Sequence, residues 1–110
     1  MSFQKVAKKQ DFEKNDKKLV VVNDQEILVM KVENDYYAIA NKCPHMGGSL
    51  FKGNLENGVI TCARHGAKFD AKTGKALGKP KILFLEFKVE DDQSYPIKLE
   101  ENDILVDIEN

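Results

Sequence analysis

The sequence predicts a mainly β protein, a sandwich or small barrel, and three observations carry that prediction. Short segments rich in Val, Ile, Leu, Phe and Tyr recur along the chain with turn residues between them. No helical period persists for the roughly ten residues that a helix needs. The 110 residues are enough for one hydrophobic core and leave no room for a second domain beside it.

The first half reads as an antiparallel meander. KLVVV is followed by the turn residues NDQ, then EILVMKV, then END, then YYAIA, so that residues 18–40 hold three strands and two tight reversals. VITC at 59–62 follows the turn signal Glu56-Asn57-Gly58, and AKFD and KAL flank a second turn at Thr73-Gly74. ILFLEFKV at 82–89 reads as a strand that ends before an Asp91-Asp92 turn. YPIKLE and ILVDIE close the chain as a hairpin around Glu101-Asn102-Asp103. Apart from two short similar stretches around the cysteines, there is no internal repeat, and there is no low-complexity segment or linker.

Composition narrows the function classes. Hydrophobic residues at 42% and charged residues at 32% suit a folded, soluble protein. The longest apolar run, Tyr36 to Ala40, is far short of the roughly 20 residues of a membrane span, and MSFQKVAKKQ lacks the apolar stretch of a secretion signal, so the expected location is the cytoplasm. The net charge of -1 conceals an asymmetry: residues 1–85 carry 15 Lys+Arg against 9 Asp+Glu, or +6, whereas residues 86–110 carry 2 against 9, or -7. No basic helix and no aromatic stacking motif accompanies the lysines, which argues against nucleic acid as a partner. They serve either as solubilising charge or as a docking face for an acidic protein.

All soft metal ligands of the chain sit in two short stretches. Cys43-Pro44-His45 is followed, after sixteen residues, by Cys62-Ala63-Arg64-His65, and the chain has no other Cys or His. Two thiolates and two imidazoles make a complete set of four ligands. A disulfide between Cys43 and Cys62 is disfavoured in a reducing compartment and leaves the histidines unexplained. Structural zinc remains an alternative, although zinc modules usually pair Cys with Cys and His with His at wider spacing. One Cys and one His from each stretch is instead the arrangement in which one iron of a pair is held by sulfur and the other by nitrogen.

C-P-H-M-G-G-S-L followed by C-A-R-H-G-A-K-F-D-x-x-T-G resembles the signature of the Rieske-type [2Fe-2S] proteins, and in particular the small soluble Rieske ferredoxins of bacteria and archaea. The resemblance implies one Rieske domain over residues 1–110, an antiparallel β-sandwich with a small cluster-binding subdomain whose loops lie at about 41–74. It implies one [2Fe-2S] cluster, with Cys43 and Cys62 on the inner iron and His45 and His65 on the outer one near the surface. Gly47, Gly48 and Gly66 suit loops that need backbone freedom.

The resemblance also implies a function and two departures. No histidine remains for the mononuclear iron of an oxygenase or for a Ser-His or Cys-His nucleophile, so the expected role is a one-electron carrier and not a catalyst. Its donor would be a flavoprotein or NAD(P)H-linked reductase, and its acceptor an oxygenase or other redox protein. A fixed electron-transfer subunit of a larger oxidoreductase, such as a nitrite reductase, is the nearest alternative. Respiratory-complex relatives brace their loops with a disulfide at positions that align with Gly48 and Arg64. They also place a serine and a tyrosine hydroxyl beside the cluster where this chain has Ala67 and Phe69. Fewer donors leave the sulfurs more electron-rich and lower the potential toward the bottom of the range of about -150 to +300 mV. Met46, Leu50 and Phe51 are expected either to contact a partner or to pack around the cluster.

Overall fold

The computed structural model describes residues 2–44, 48–63, 66–77, 81–82, 85–86 and 90–108. Its strands are β1 (Phe3–Lys8), β2 (Lys17–Val22), β3 (Gln25–Val32), β4 (Asp35–Ala40), β5 (Asn54–Glu56), β6 (Val59–Thr61), β7 (Lys68–Asp70), β8 (Ala76–Leu77), β9 (Lys81–Ile82), β10 (Leu85–Glu86), β11 (Ser94–Tyr95), β12 (Ile97–Glu100) and β13 (Asp103–Asp107). The only helical pieces among the described residues are 3-10 turns at Lys9–Phe12 and Leu50–Lys52.

The middle layer is the predicted meander. β2, β3 and β4 pair antiparallel in sequence, with β11 added beside β4 in the order β11-β4-β3-β2. The β2–β3 reversal takes both of its central residues, Asn23 (φ 50) and Asp24 (φ 65), into the left-handed region, the geometry whose twist matches a two-residue hairpin. Asn57 (φ 53) and Gly58 (φ 77) do the same between β5 and β6. Asn, Asp and Gly tolerate that region at least cost, which is why composition alone located these turns.

Strand β3 is covered on both faces. Alternating side chains of a strand point to opposite sides. Leu28 and Met30 join Ile39, Ile60 and Phe69 in one core, while Ile27 and Val29 join Ala38, Ile104 and Val106 in the other. All of these but Ala38, which is 2% exposed, are fully buried. The run Ile27-Leu28-Val29-Met30 is therefore unbroken hydrophobic because it has no solvent face. One outer layer is β1-β13-β12 and the other is β5-β6-β7-β8, giving a β-sandwich with a second small sheet stacked against its middle layer.

Three elements differ from the sequence reading. Phe3–Lys8 is a strand, paired with Asp103–Asp107 at the other end of the chain, and its lysine-rich composition hid it. YPIKLE is not one strand: Ser94–Tyr95 pairs with β4, whereas Ile97–Glu100 pairs with β13 in another sheet. Pro96 lies at the switch, where a residue with no N–H and a fixed φ ends one ladder, and its carbonyl still accepts from Asp107 N at 3.1 Å. Finally, ILFLEFKV is not a single strand, because Ile82 pairs antiparallel with Leu85 and Lys81 with Glu86. The run contains no turn residue to announce that reversal; 83–84 and 87–89 lie outside the described residues.

Asp91 and Asp92 do not form a turn between two strands but dock on the turn after β7. Asp92 N donates to Gly74 O at 2.7 Å, and Ala76 N donates to Asp91 Oδ1 at 2.8 Å. Gly74 is required there: its φ of +79 is left-handed, and a Cβ would collide with the Asp92 carbonyl.

Candidate metal centre

Each cysteine sits at the tip of a hairpin. The first hairpin continues from β4: Leu50 N donates to Asn41 O at 2.8 Å, Lys42 bridges Ser49, and Cys43 N donates to Gly48 O at 2.7 Å. The second continues from β6 and β7: Thr61 pairs with Lys68, and Cys62 N donates to Ala67 O at 2.7 Å. Both tips are closed by the same bond, from the cysteine amide to the carbonyl five residues on. CPHMGG and CARHGA thus have equal length and share the same closing bond. Gly66, at φ +72, donates its N–H back to Cys62 O at 3.0 Å.

The two tips bring Cys43 and Cys62 into one dry core. Their residues are 1% and 2% exposed, and they share that core with Leu28, Met30, Ile39, Leu50, Ile60, Ala67 and Phe69. No disulfide joins them. Buried thiols can be inert small hydrophobes. Here, however, each begins one of two matched loops closed by the same backbone bond, and both thiols reach one core. His45 and His65 lie outside the described residues, as do Met46, Gly47 and Arg64. Among the described residues no group of three or more His, Cys, Asp and Glu side chains comes together.

Of the three hydrophobic residues expected to pack or to contact a partner, Leu50 is fully buried in the cysteine core and so packs, whereas Phe51 is 37% exposed. Ala67 and Phe69, 2% and 0% exposed, line the same core without a hydroxyl. Lys42 and Lys68 are exposed beside the two loops. The sequence reading passed over Asn41, a buried polar residue two positions before Cys43 whose side chain ties three segments together. Its signal in sequence is only its place immediately after a strand.

The Rieske [2Fe-2S] domain family profile matches residues 2–86. The chain belongs to the Rieske [2Fe-2S] family. It is 36% identical over 85 residues to the ferredoxin component of biphenyl 2,3-dioxygenase from Rhodococcus jostii, covering 77% of this chain and 73% of that protein. In structure it resembles the ferredoxin of carbazole 1,9a-dioxygenase from Nocardioides aromaticivorans IC177, with a TM-score of 0.79 and 25% identity, covering 96% and 97% of the two chains. It also matches a chain in a complex of reduced oxygenase and oxidized ferredoxin of carbazole 1,9a-dioxygenase at TM-score 0.79 and 25% identity, over 94% of this chain and 91% of that one. As a Rieske protein it carries one [2Fe-2S] cluster and transfers electrons without being a catalyst itself. The match to whole ferredoxins of similar length sets aside the structural zinc alternative. No helix among the described residues is long and apolar enough to cross a membrane.

Proposed function

We propose that this protein is a soluble cytoplasmic Rieske ferredoxin that takes one electron from a flavoprotein or NAD(P)H-linked reductase and passes it to a terminal oxygenase. Cys43 and Cys62 hold the inner iron, and His45 and His65 hold the outer one. The observation that carries this reading is the pair of matched hairpin tips that deliver both thiols to one water-excluded core. Its similarity to ferredoxin components of dioxygenase systems supports the choice of acceptor.

The bound cluster supplies reversible one-electron chemistry. The chain sets its terms through charge. Two thiolates offset the +2 of a core of two ferric ions and two sulfides, and two neutral imidazoles add nothing, so the oxidised site would be neutral where four thiolates would make it -2. Leu28, Met30, Ile39, Leu50, Ile60 and Phe69 keep water from the sulfur side. Lys42 and Lys68 put positive charge beside the loops, which favours an acidic face on the partner and makes association sensitive to salt.

Stopped-flow reduction of the oxygenase by the pre-reduced protein tests this proposal. Transfer that saturates with oxygenase concentration and slows as salt rises is the expected result. A colourless protein, or a reduced one that gives no electron to any oxygenase encoded beside it, contradicts it. The double variant Ala67→Ser, Phe69→Tyr tests the tuning. Both new hydroxyls would lie in the dry core with sulfur as the natural acceptor. A bond stronger by about 1 kcal/mol in the reduced state corresponds to about 40 mV, so the midpoint rises by that order. Protein-film voltammetry reads it, and an unchanged midpoint would show that these positions do not face the cluster.

A further inference from the structure

The two cysteine hairpins are held differently. The Cys62 tip stands on a ladder: β6 and β7 pair at Val59–Asp70, Ile60–Phe69 and Thr61–Lys68, with β5 and β8 on either side. The Cys43 tip has no such base. Its outgoing arm leaves β4, but its return arm turns at once into the 3-10 turn Leu50–Lys52, and among the described residues the one β-bridge between the arms is Lys42 with Ser49. Nor does this chain have a cysteine with which to staple the loops, since both of its cysteines are at the tips.

Two polar side chains take the place of the missing ladder. Asn41, 1% exposed, donates from Nδ2 to Glu26 Oε1 at 3.1 Å and to Ser49 Oγ at 2.9 Å, and accepts on Oδ1 from Phe51 N at 2.8 Å. Its backbone adds Asn41 N to Glu26 O at 3.0 Å and Leu50 N to Asn41 O at 2.8 Å. One residue thus joins the start of β3, the end of β4 and the return arm. From the opposite side, Lys17 of β2 donates Nζ to Phe51 O, at 2.7 Å, and to Gly53 O, while its ammonium lies 5.5 Å from the centre of the Phe51 ring. Burial lowers the Lys17 pKa. The arm ends at Gly53, where any Cβ would collide with the Thr61 carbonyl, so the exit of the first hairpin lies against the entry of the second.

We propose that Asn41 and Lys17 form a polar latch that fixes the return arm, Ser49 to Gly53, and thereby positions the Cys43 loop on the cluster. The inference rests on the Rieske assignment. Both are positioning residues, because neither is a ligand. With the latch intact the return arm is tied to both β2 and β3. Without it the Cys43 loop loosens alone, because the Cys62 tip keeps its own ladder.

The test compares cluster-loaded wild type with Asn41→Ala, Lys17→Met, Lys17→Arg and Glu26→Gln. Lys17→Met keeps the apolar stem and removes both donations, Lys17→Arg keeps a donor, and Glu26→Gln keeps an acceptor for Asn41. Three quantities are read: the rate of bleaching under a chelator, the g-values of the dithionite-reduced protein, and amide exchange. Asn41→Ala and Lys17→Met are expected to bleach about tenfold faster and to shift the g-values. They should expose the Leu50 and Phe51 amides while leaving those of Ile60 and Phe69 protected. Lys17→Arg and Glu26→Gln should stay close to wild type. If Asn41→Ala does not fold, Lys17→Met with Ser49→Ala carries the same test. Wild-type bleaching and g-values in all variants would overturn the latch, and so would equal loss of protection in both hairpins, which marks general destabilisation. A wild type without iron would instead overturn the Rieske assignment.

Discussion

Replacing either Cys43 or Cys62 with alanine is expected to yield a colourless protein without a bound cluster. Each thiolate is one of only two in the chain, and no other cysteine can substitute. Because both side chains belong to the core that also holds Leu50 and Phe69, each variant also leaves a small cavity at the junction of two sheets. With the proposed ligation, loss of the ligand outweighs the cavity, since binding energy gained only in the folded state is folding energy. Iron analysis together with the visible spectrum and a melting curve checks this. A variant that keeps a full complement of iron would show that the replaced cysteine is not a ligand.

Asp92→Asn is expected to remove a pH-dependent contribution to stability at the segment docked on the turn after β7. Asp92 is 7% exposed; its Oδ1 accepts from Gln93 N at 3.0 Å, and its Oδ2 is buried with no hydrogen-bond partner among the described residues. Burial, partly offset by the Gln93 N–H, raises its pKa from 3.8 to about 7. The folded protein therefore holds this proton more tightly than the unfolded chain does. The stabilisation is fully present below about pH 4 and is lost as pH climbs to about 7, a loss on the order of 2–4 kcal/mol. Asparagine keeps the bond from Gln93 and cannot ionise, but it buries an amide whose NH2 lacks a partner, at a cost of about 1–3 kcal/mol. Melting curves at about pH 5 and about pH 8 should show the wild type as the more stable form in acid and the variant gaining on it, or passing it, in base. Parallel pH profiles for the two proteins would contradict the assignment of a buried, ionisable Asp92.

The parts of this fold that were legible in the sequence are those written locally. Asn23-Asp24 and Asn57-Gly58 declare their hairpins because the left-handed region is open to few residue types, and the meander between residues 17 and 40 follows from them. The cysteines and histidines announce themselves by rarity and spacing. What was not legible depends on partners distant in the chain. Phe3–Lys8 becomes a strand because Asp103–Asp107 offers an edge, and nothing in QKVAK says so. Tyr95 and Ile97 part company at Pro96 because two different sheets lie within reach. Asn41 reads as one more polar residue after a strand, and its importance emerges only when Glu26, Ser49 and Phe51 converge on it. Leu50 was equally ambiguous between surface and core until Cys43, Ile60 and Phe69 were seen to enclose it.

Electron paramagnetic resonance of the dithionite-reduced protein tests the central claim, mixed ligation by two sulfurs and two nitrogens, most directly. A rhombic signal with a low average g, carrying resolvable coupling to two histidine nitrogens, is the predicted result. Absence of any signal, or the higher average g of a cluster ligated by cysteine alone, would contradict it.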